Sequence, residues 1–226
     1  MDWQSGAARR HARHFGAVNA ILFAIGWAVV GAAAGWVLRW GSVRLAILEK
    51  LEPGNRSWQV YGPPILAAVV FGVFAFHFGI TLTLFIRSVF ILVLVQVIFF
   101  DFEHRLILDR IMFPAMALAL VVSLFKDPWW AGLAAGLGAG LLFLFLALAG
   151  SAIFKAEALG FGDVKLAAFM GLLLGPLPTI QAIFYGVFMA GVVSVGMIVW
   201  RRSLKGTLAY GPYLASGALI VLYLLP

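Results

Sequence analysis

An all-α bundle of about eight membrane-spanning helices is the fold the sequence predicts, and three observations carry it. Of the 226 residues, 64% are hydrophobic and only 11% charged; the mean hydropathy is +1.05; and apolar runs of span length recur along the whole chain with short polar breaks. A soluble domain carries roughly 25% charged residues. At about 20 apolar residues per crossing, the chain has room for seven or eight crossings and none for a large aqueous catalytic module.

The elements follow in order. A polar head, 1–16, holds Arg9, Arg10 and Arg13 and leads into an apolar run from Ala17 to Leu38. That run exceeds the ~7–15 apolar residues of a cleaved secretory leader, so it reads as the first span, although Ala32-Ala33-Ala34 would suit a cleavage site. Arg39 to Gln59, broken by Pro53-Gly54-Asn55, reads as the longest water-facing connection. Spans two and three are expected at 61–78 and 83–100, and the charged stretch DFEHRLILDR, 101–110, separates them from span four at 111–125. Trp129 and Trp130, after Lys126-Asp127-Pro128, suit an interfacial belt. Span five is expected at 131–154, and KAEALGFGD, 155–163, is the second polar stretch. Val164 to Leu174 is too short to cross untilted before Gly175-Pro176-Leu177-Pro178 ends it; spans at 180–200 and 208–225 then flank Arg201-Arg202-Ser203-Leu204-Lys205. No internal repeat is present.

Lysine and arginine mark the cytoplasmic side of short loops. With the N-terminus outside, Arg39, Arg44, Lys50, Arg56, Arg105, Arg110, Lys155, Lys165, Arg201, Arg202 and Lys205 fall inside, against Arg9, Arg10, Arg13, Arg87 and Lys126 elsewhere, which is 11 against 5. Eight crossings in that sense put both charged stretches at the cytoplasmic edge. The net charge of +7 is thereby explained by span orientation and contact with anionic lipid, and no nucleic-acid partner is expected. The absence of cysteine excludes disulfides, thiolate zinc sites, iron–sulfur clusters and cysteine nucleophiles.

Of nine acids, Asp101, Glu103, Asp109, Glu157 and Asp163 lie in the two charged stretches. Carboxylates at a membrane edge are costly unless paired or hydrated, which makes them functional candidates. Asp101 closes an apolar run and Asp163 opens a helix, so each can face into a bundle from the end of a span. Asp163 also suits a plain capping role at a helix N-terminus; Glu103 reads as a solvated loop acid, and Arg87 as a side chain reaching for the outer interface. Gly160 and Gly162, alternating before Asp163, would let the backbone adopt unusual conformations and let another chain approach. Two aspartates brought together share one proton, so that one activates water while the other polarises a carbonyl. The chemistry implied is peptide hydrolysis without metal or other cofactor.

FFDFEHRLILDRIMFP resembles the first signature of the type IV prepilin peptidases, and KAEALGFGDVKLAAFMGLLLG resembles the second, the GxGD motif followed by Val-Lys-Leu; AYGPYLASGALI resembles the family's Gly-Pro element, here Gly211-Pro212. With SWQVYGPPILAAVVFGVFAFHFG the similarity covers roughly 57–222, and the two motif aspartates stand 163 − 101 = 62 residues apart. The resemblance implies catalytic Asp101 and Asp163, with Gly160 and Gly162 as the glycines of the GxGD motif, the pair read above as making room for a substrate chain. It also implies an aspartic endopeptidase that removes the short basic leader of prepilins or pseudopilins at the cytoplasmic face of the cell membrane, just before the substrate's apolar helix. Lys155, Glu157 and Lys165 match family-like positions. The corresponding division is 1–56, a tail, first span and short loop, and 57–226, the peptidase membrane domain. Many members carry a tetracysteine zinc loop between the first two spans and N-methylate the new terminus; the loop here is too short and has no cysteine, so methyl transfer is not expected. Leu108 stands where the family often has proline.

Two other readings compete. A proton- or cation-coupled transporter would also need membrane acids, but near mid-span. A divalent-metal site could use Asp101, Glu103, His104 and Asp109. The glycines at 132, 136, 138 and 140 suit close helix packing.

Overall fold

A computed structural model describes residues 3–154, 159–201 and 209–225. Among them are eight helices: α1 (Trp3–Leu48), α2 (Ser57–Phe78), α3 (Leu82–His104), α4 (Asp109–Leu124), α5 (Trp130–Phe154), α6 (Phe161–Leu174), α7 (Pro176–Arg201) and α8 (Gly211–Leu224). Five are long and apolar enough to cross a membrane: α2, α3, Val18–Leu48 within α1, Trp130–Ile153 within α5 and Pro176–Met197 within α7. The chain is thus an all-α, multi-pass membrane protein. It divides into two compact units, 1–92 and 93–226.

Two boundaries differ from expectation. α1 does not stop at Leu38 but continues to Leu48, because nothing between Arg39 and Leu48 breaks a helix and polarity alone does not end one; it closes where Lys50 takes a left-handed φ of 58° and the Leu51 N–H bonds the Ala46 carbonyl at 2.8 Å, ahead of Pro53-Gly54. The connection shrinks to 49–56. Likewise α3 runs through Asp101 to His104, so the first charged stretch is half helix, and only 105–108 is loop.

In the first unit, α1 packs on α2 through glycine. A Cβ on Gly31 would stand 2.6 Å from the Ala67 carbonyl oxygen and 2.7 Å from Phe71 Cβ, while Gly35 lies against the backbone of Pro63 and Pro64. This spacing of four lets two backbones touch in lipid. Trp27 stacks near Phe23 and Phe71 and meets Phe85 edge-on, and its Nε1–H donates to Ser88 Oγ at 3.1 Å. Arg39 is buried and its guanidinium donates to the Gly54 carbonyl. Arg87 is buried, its guanidinium 4.1 Å above the ring of Phe78, the last residue of α2, an arrangement a desolvated cation favours.

The second unit is organised around α6. Leu166, Ala167, Phe169 and Met170 are fully buried, as expected of a helix apolar on every side. α5 approaches it through small residues: Gly132 abuts Ser123 and the Leu172 carbonyl, Gly136 abuts Leu172, Gly140 lies 3.2 Å from Ala168 Cβ in the same sense, and Gly171 of α6 meets Ala135 and Gly136. Gly138 alone of that glycine set faces open space. α7 and α8 meet in the same way, with Gly217 against Ala182 and Gly186 against Leu214. At one end of α6, Lys126 Nζ donates to the Leu173 carbonyl at 2.8 Å, satisfying an acceptor that a helix C-terminus leaves open. The other end carries Asp163.

Candidate active site

α3 delivers Asp101 in its last turn, where the side chain is buried, 6% exposed. The helix ends just beyond it: the Arg105 N–H bonds the Asp101 carbonyl at 2.9 Å and Arg105 takes a left-handed φ of 52°, unusual for a residue with a side chain. The Arg105 guanidinium is close enough for its charge to act on the Asp101 carboxylate. The first residue of α8 completes this half of the site. Gly211 donates its backbone N–H to the Asp101 carboxylate, and a Cβ on Gly211 would lie 2.7 Å from Asp101 Oδ2. A side chain here would have to displace that carboxylate.

Asp163 occupies the third position of α6, behind the N-cap Gly160. Its own N–H bonds the Gly160 carbonyl at 3.0 Å, and its carboxylate accepts the Gly160 N–H, the half of a capping box that an acid at the third position supplies. The carboxylate is also near enough to Asp101 for the two charges to act on each other. Capping and pairing are therefore both present. Asp101 and Asp163, 62 residues apart in sequence (163 − 101), lie in one site.

The two glycines have different surroundings. Gly160 is extended, φ −73° and ψ 146°, and a Cβ there would make an ordinary 3.7 Å contact with Asp163 Oδ2. A Cβ on Gly162 would fall 2.8 Å from Ile107 Cβ. Neither has a positive φ, so conformational freedom is not what glycine supplies at either position. Gly162 lets the first motif's loop lie directly on α6. Ile107, 7% exposed, touches both sides of the pair: its Cδ1 would also be 3.2 Å from a Cβ on Gly211. Ile107 and Gly211 are thus structural members of the site that the residue-by-residue reading passed over. The signal for Gly211 was the Gly-Pro element; for Ile107, its position between the two acids of the first motif.

Lys165 acquires a role. Its Nζ pairs with Asp109 Oδ1 at 2.5 Å and stands 5.3 Å from the Phe113 ring centroid, tying the second turn of α6 to the start of α4. Asp109 suits a helix N-terminus on its own account. Because the two side chains are 30% and 55% exposed, such a pair contributes about 0–1 kcal/mol. Asp109→Asn is therefore expected to keep most of the parent's activity, measured as converted substrate; a dead Asp109→Asn would make it, and not Asp101, the acid that matters in the first motif.

Glu103 is not a solvated loop acid. It sits in the last turn of α3, 3.3 Å from His104 Nε2, with both side chains largely out of water. Leu108 is the N-cap of α4, with φ −72° and ψ 125°, a conformation a proline would also adopt, so its departure from the family pattern leaves the helix start in place. Lys155 and Glu157 lie outside the described residues. No three His, Asp or Glu side chains converge among the described residues.

The profile of the type IV leader peptidase family matches residues 88–195, which include Asp101, Ile107, Gly162 and Asp163. The prepilin leader peptidase/N-methyltransferase of Bacillus subtilis (strain 168) is 34% identical over 172 residues, covering 74% of this chain and 67% of that protein. No solved structure matches the chain. An all-helical membrane chain that gathers the acids of both motifs, and is this similar over this length, belongs to the type IV leader peptidase family.

Proposed function

We propose that the chain is an aspartic endopeptidase that removes the basic leader of prepilins or pilin-like proteins, with Asp101 and Asp163 as its catalytic pair. Leader removal is the reaction of the family to which it belongs, and that membership leaves the transporter reading without support. The observation that carries the catalytic assignment is the approach of two carboxyl groups in one site, each also held by a glycine N–H.

Two buried carboxyls whose charges act on each other are not both ionised cheaply, so in this reading the pair shares one proton. The ionised carboxylate takes a proton from water as the water oxygen attacks the scissile carbonyl carbon. The protonated carboxyl hydrogen-bonds the carbonyl oxygen and gives up its proton as a tetrahedral diol forms. Collapse breaks the C–N bond; the proton taken from water goes to the leaving amine, and the diol returns its own to the pair. Two carboxyls, one water and one peptide bond balance the step. Gly160 and Gly162 border this site; we assign Gly160 to the passage of the substrate backbone, whereas Gly162, expected to share that task, has its face taken by Ile107 and acts by seating the first motif's loop.

The site belongs at the cytoplasmic face of the cell membrane, in keeping with the 11-to-5 distribution of Lys and Arg and with a substrate whose basic leader stays on that side. The peptidase membrane domain comprises 57–226, behind the first helix. Methyl transfer is not part of the proposal. Co-expression with a prepilin, scored by the gel shift of the mature form, tests it: a parent chain that leaves the prepilin uncut overturns the assignment. A chelator is expected to leave conversion unchanged, since the mechanism draws only on water and carboxyl groups; activity lost in EDTA and restored by a divalent ion would replace it with a metal mechanism.

A further inference from the structure

The second unit contains an open cleft of about 430 Å³ between α5, α7 and α8. Its walls are apolar: Phe143, Leu146 and Gly150 of α5, Val187 of α7 and Leu214 of α8. An apolar lining by itself says little in a membrane, because lipid tails are as apolar as leucine and fill such surfaces. What singles this cleft out is where it ends. Its remaining lining residues include Leu159 and Tyr210, which directly precede Gly160 and Gly211, the two glycines whose N–H groups reach the catalytic carboxylates. Cleft and carboxyl pair share a wall made of two consecutive backbone segments.

We infer that the cleft receives the apolar helix of the substrate, the part that lies in the bilayer just beyond the scissile bond, and so sets the depth at which that bond meets Asp101 and Asp163. The inference rests on the leader-peptidase reading above. The α5 wall from Phe143 to Ile153 rises about 15 Å at roughly 1.5 Å per residue, which matches about three turns of a helix lying alongside. The cleft is too small for a helix of about 10–12 Å diameter to sink into it and large enough for the side chains on one of its faces. Ala149 and Gly150, adjacent in the lining, let a second backbone come close at that level, as small residues do between helices in lipid. The helix C-terminal to the cut is thus docked before the extended scissile segment turns toward the acids, an arrangement that supplies orientation to the reaction.

The chain has no cysteine of its own, so single cysteines report this contact directly. The experiment places Leu146→Cys, Val187→Cys or Leu148→Cys in an Asp101→Asn background, co-expressed with a prepilin bearing one cysteine about two helical turns beyond the cut, and applies a mild oxidant to membranes. Leu148 is exposed, stands two residues from Leu146 on α5 and does not line the cleft. The expected result is a disulfide adduct from Leu146→Cys and from Val187→Cys at least about fivefold stronger than from Leu148→Cys, because docking raises the effective concentration of the substrate thiol at the cleft positions. Conversion of the same prepilin by the parent chain, and by each cysteine variant with Asp101 intact, runs in parallel as the check on folding and on the reaction. If the parent converts the prepilin and Leu148→Cys crosslinks as well as the cleft positions, the docking inference is overturned while the peptidase reading stands. If the parent fails to convert it, both fall.

Discussion

Asp101→Asn and Asp163→Asn are each expected to lower leader cleavage by at least about a hundredfold, the scale on which a positioned acid or base contributes, while membrane levels stay near the parent's. An amide occupies the same volume and can still accept the Gly211 or Gly160 N–H through its oxygen, so the packing around either position survives. What is lost is the shared proton. With one carboxyl the site can hold the substrate carbonyl or activate water, but not both in the same encounter. The measurement is the fraction of co-expressed prepilin converted, with each variant's abundance in the membrane followed by blotting. Substantial conversion by either single variant would remove the paired-aspartate mechanism, whichever of the two it was.

The second large effect is expected at the glycines. Gly162→Ala drives a methyl to 2.8 Å from Ile107 Cβ, and Gly211→Ala drives one to 2.7 Å from Asp101 Oδ2. The first pushes the loop of the first motif away from α6; the second pushes the start of α8 away from the carboxylate it hydrogen-bonds. A displacement of about 1 Å in such a site can cost about a hundredfold in rate, so both variants are expected to lose at least about tenfold in conversion. Gly138→Ala, with open space at its Cβ, serves as the neutral comparison. Gly160→Ala separates two explanations: its Cβ meets only an ordinary contact, so it should lose little if packing between the motifs is what matters. A loss as large as that of Gly162→Ala would mean that the substrate itself needs the bare backbone.

The fold class was legible because composition and run length determine it: a chain this apolar has nowhere else to put its residues. That Asp101 and Asp163 could come together was legible from their places at the ends of apolar runs. Less of the local detail could be read. The extension of α1 to Leu48 and of α3 to His104 was hidden because polar residues mark where water begins, whereas helices end where the backbone is interrupted. The ring that Arg87 meets, Phe78, lies nine residues earlier in sequence (87 − 78), across a bend that hydropathy does not record. The roles of Gly211 and Ile107 became visible only as contacts: the Gly-Pro element marked Gly211 without saying that it passes beside a carboxylate, and nothing in the identity of Ile107 announces that it lies between two motifs. The alternation of Gly160 and Gly162 suggested conformational freedom, yet one glycine is a plain N-cap and the other a docking surface for Ile107.

The three helices that begin at the site or beside it are short. α4 has 16 residues, α6 has 14 and α8 has 14, which at roughly 1.5 Å per residue amounts to about 21–24 Å, against a hydrocarbon core of about 30 Å. Helices of this length do not reach across the core unaided, and α6 and α8 are largely buried among their neighbours, so their first turns can start below the headgroup plane against protein instead of lipid. Water for a hydrolysis at those helix starts then arrives along protein surfaces, and the supply of that reactant becomes a property of helix length.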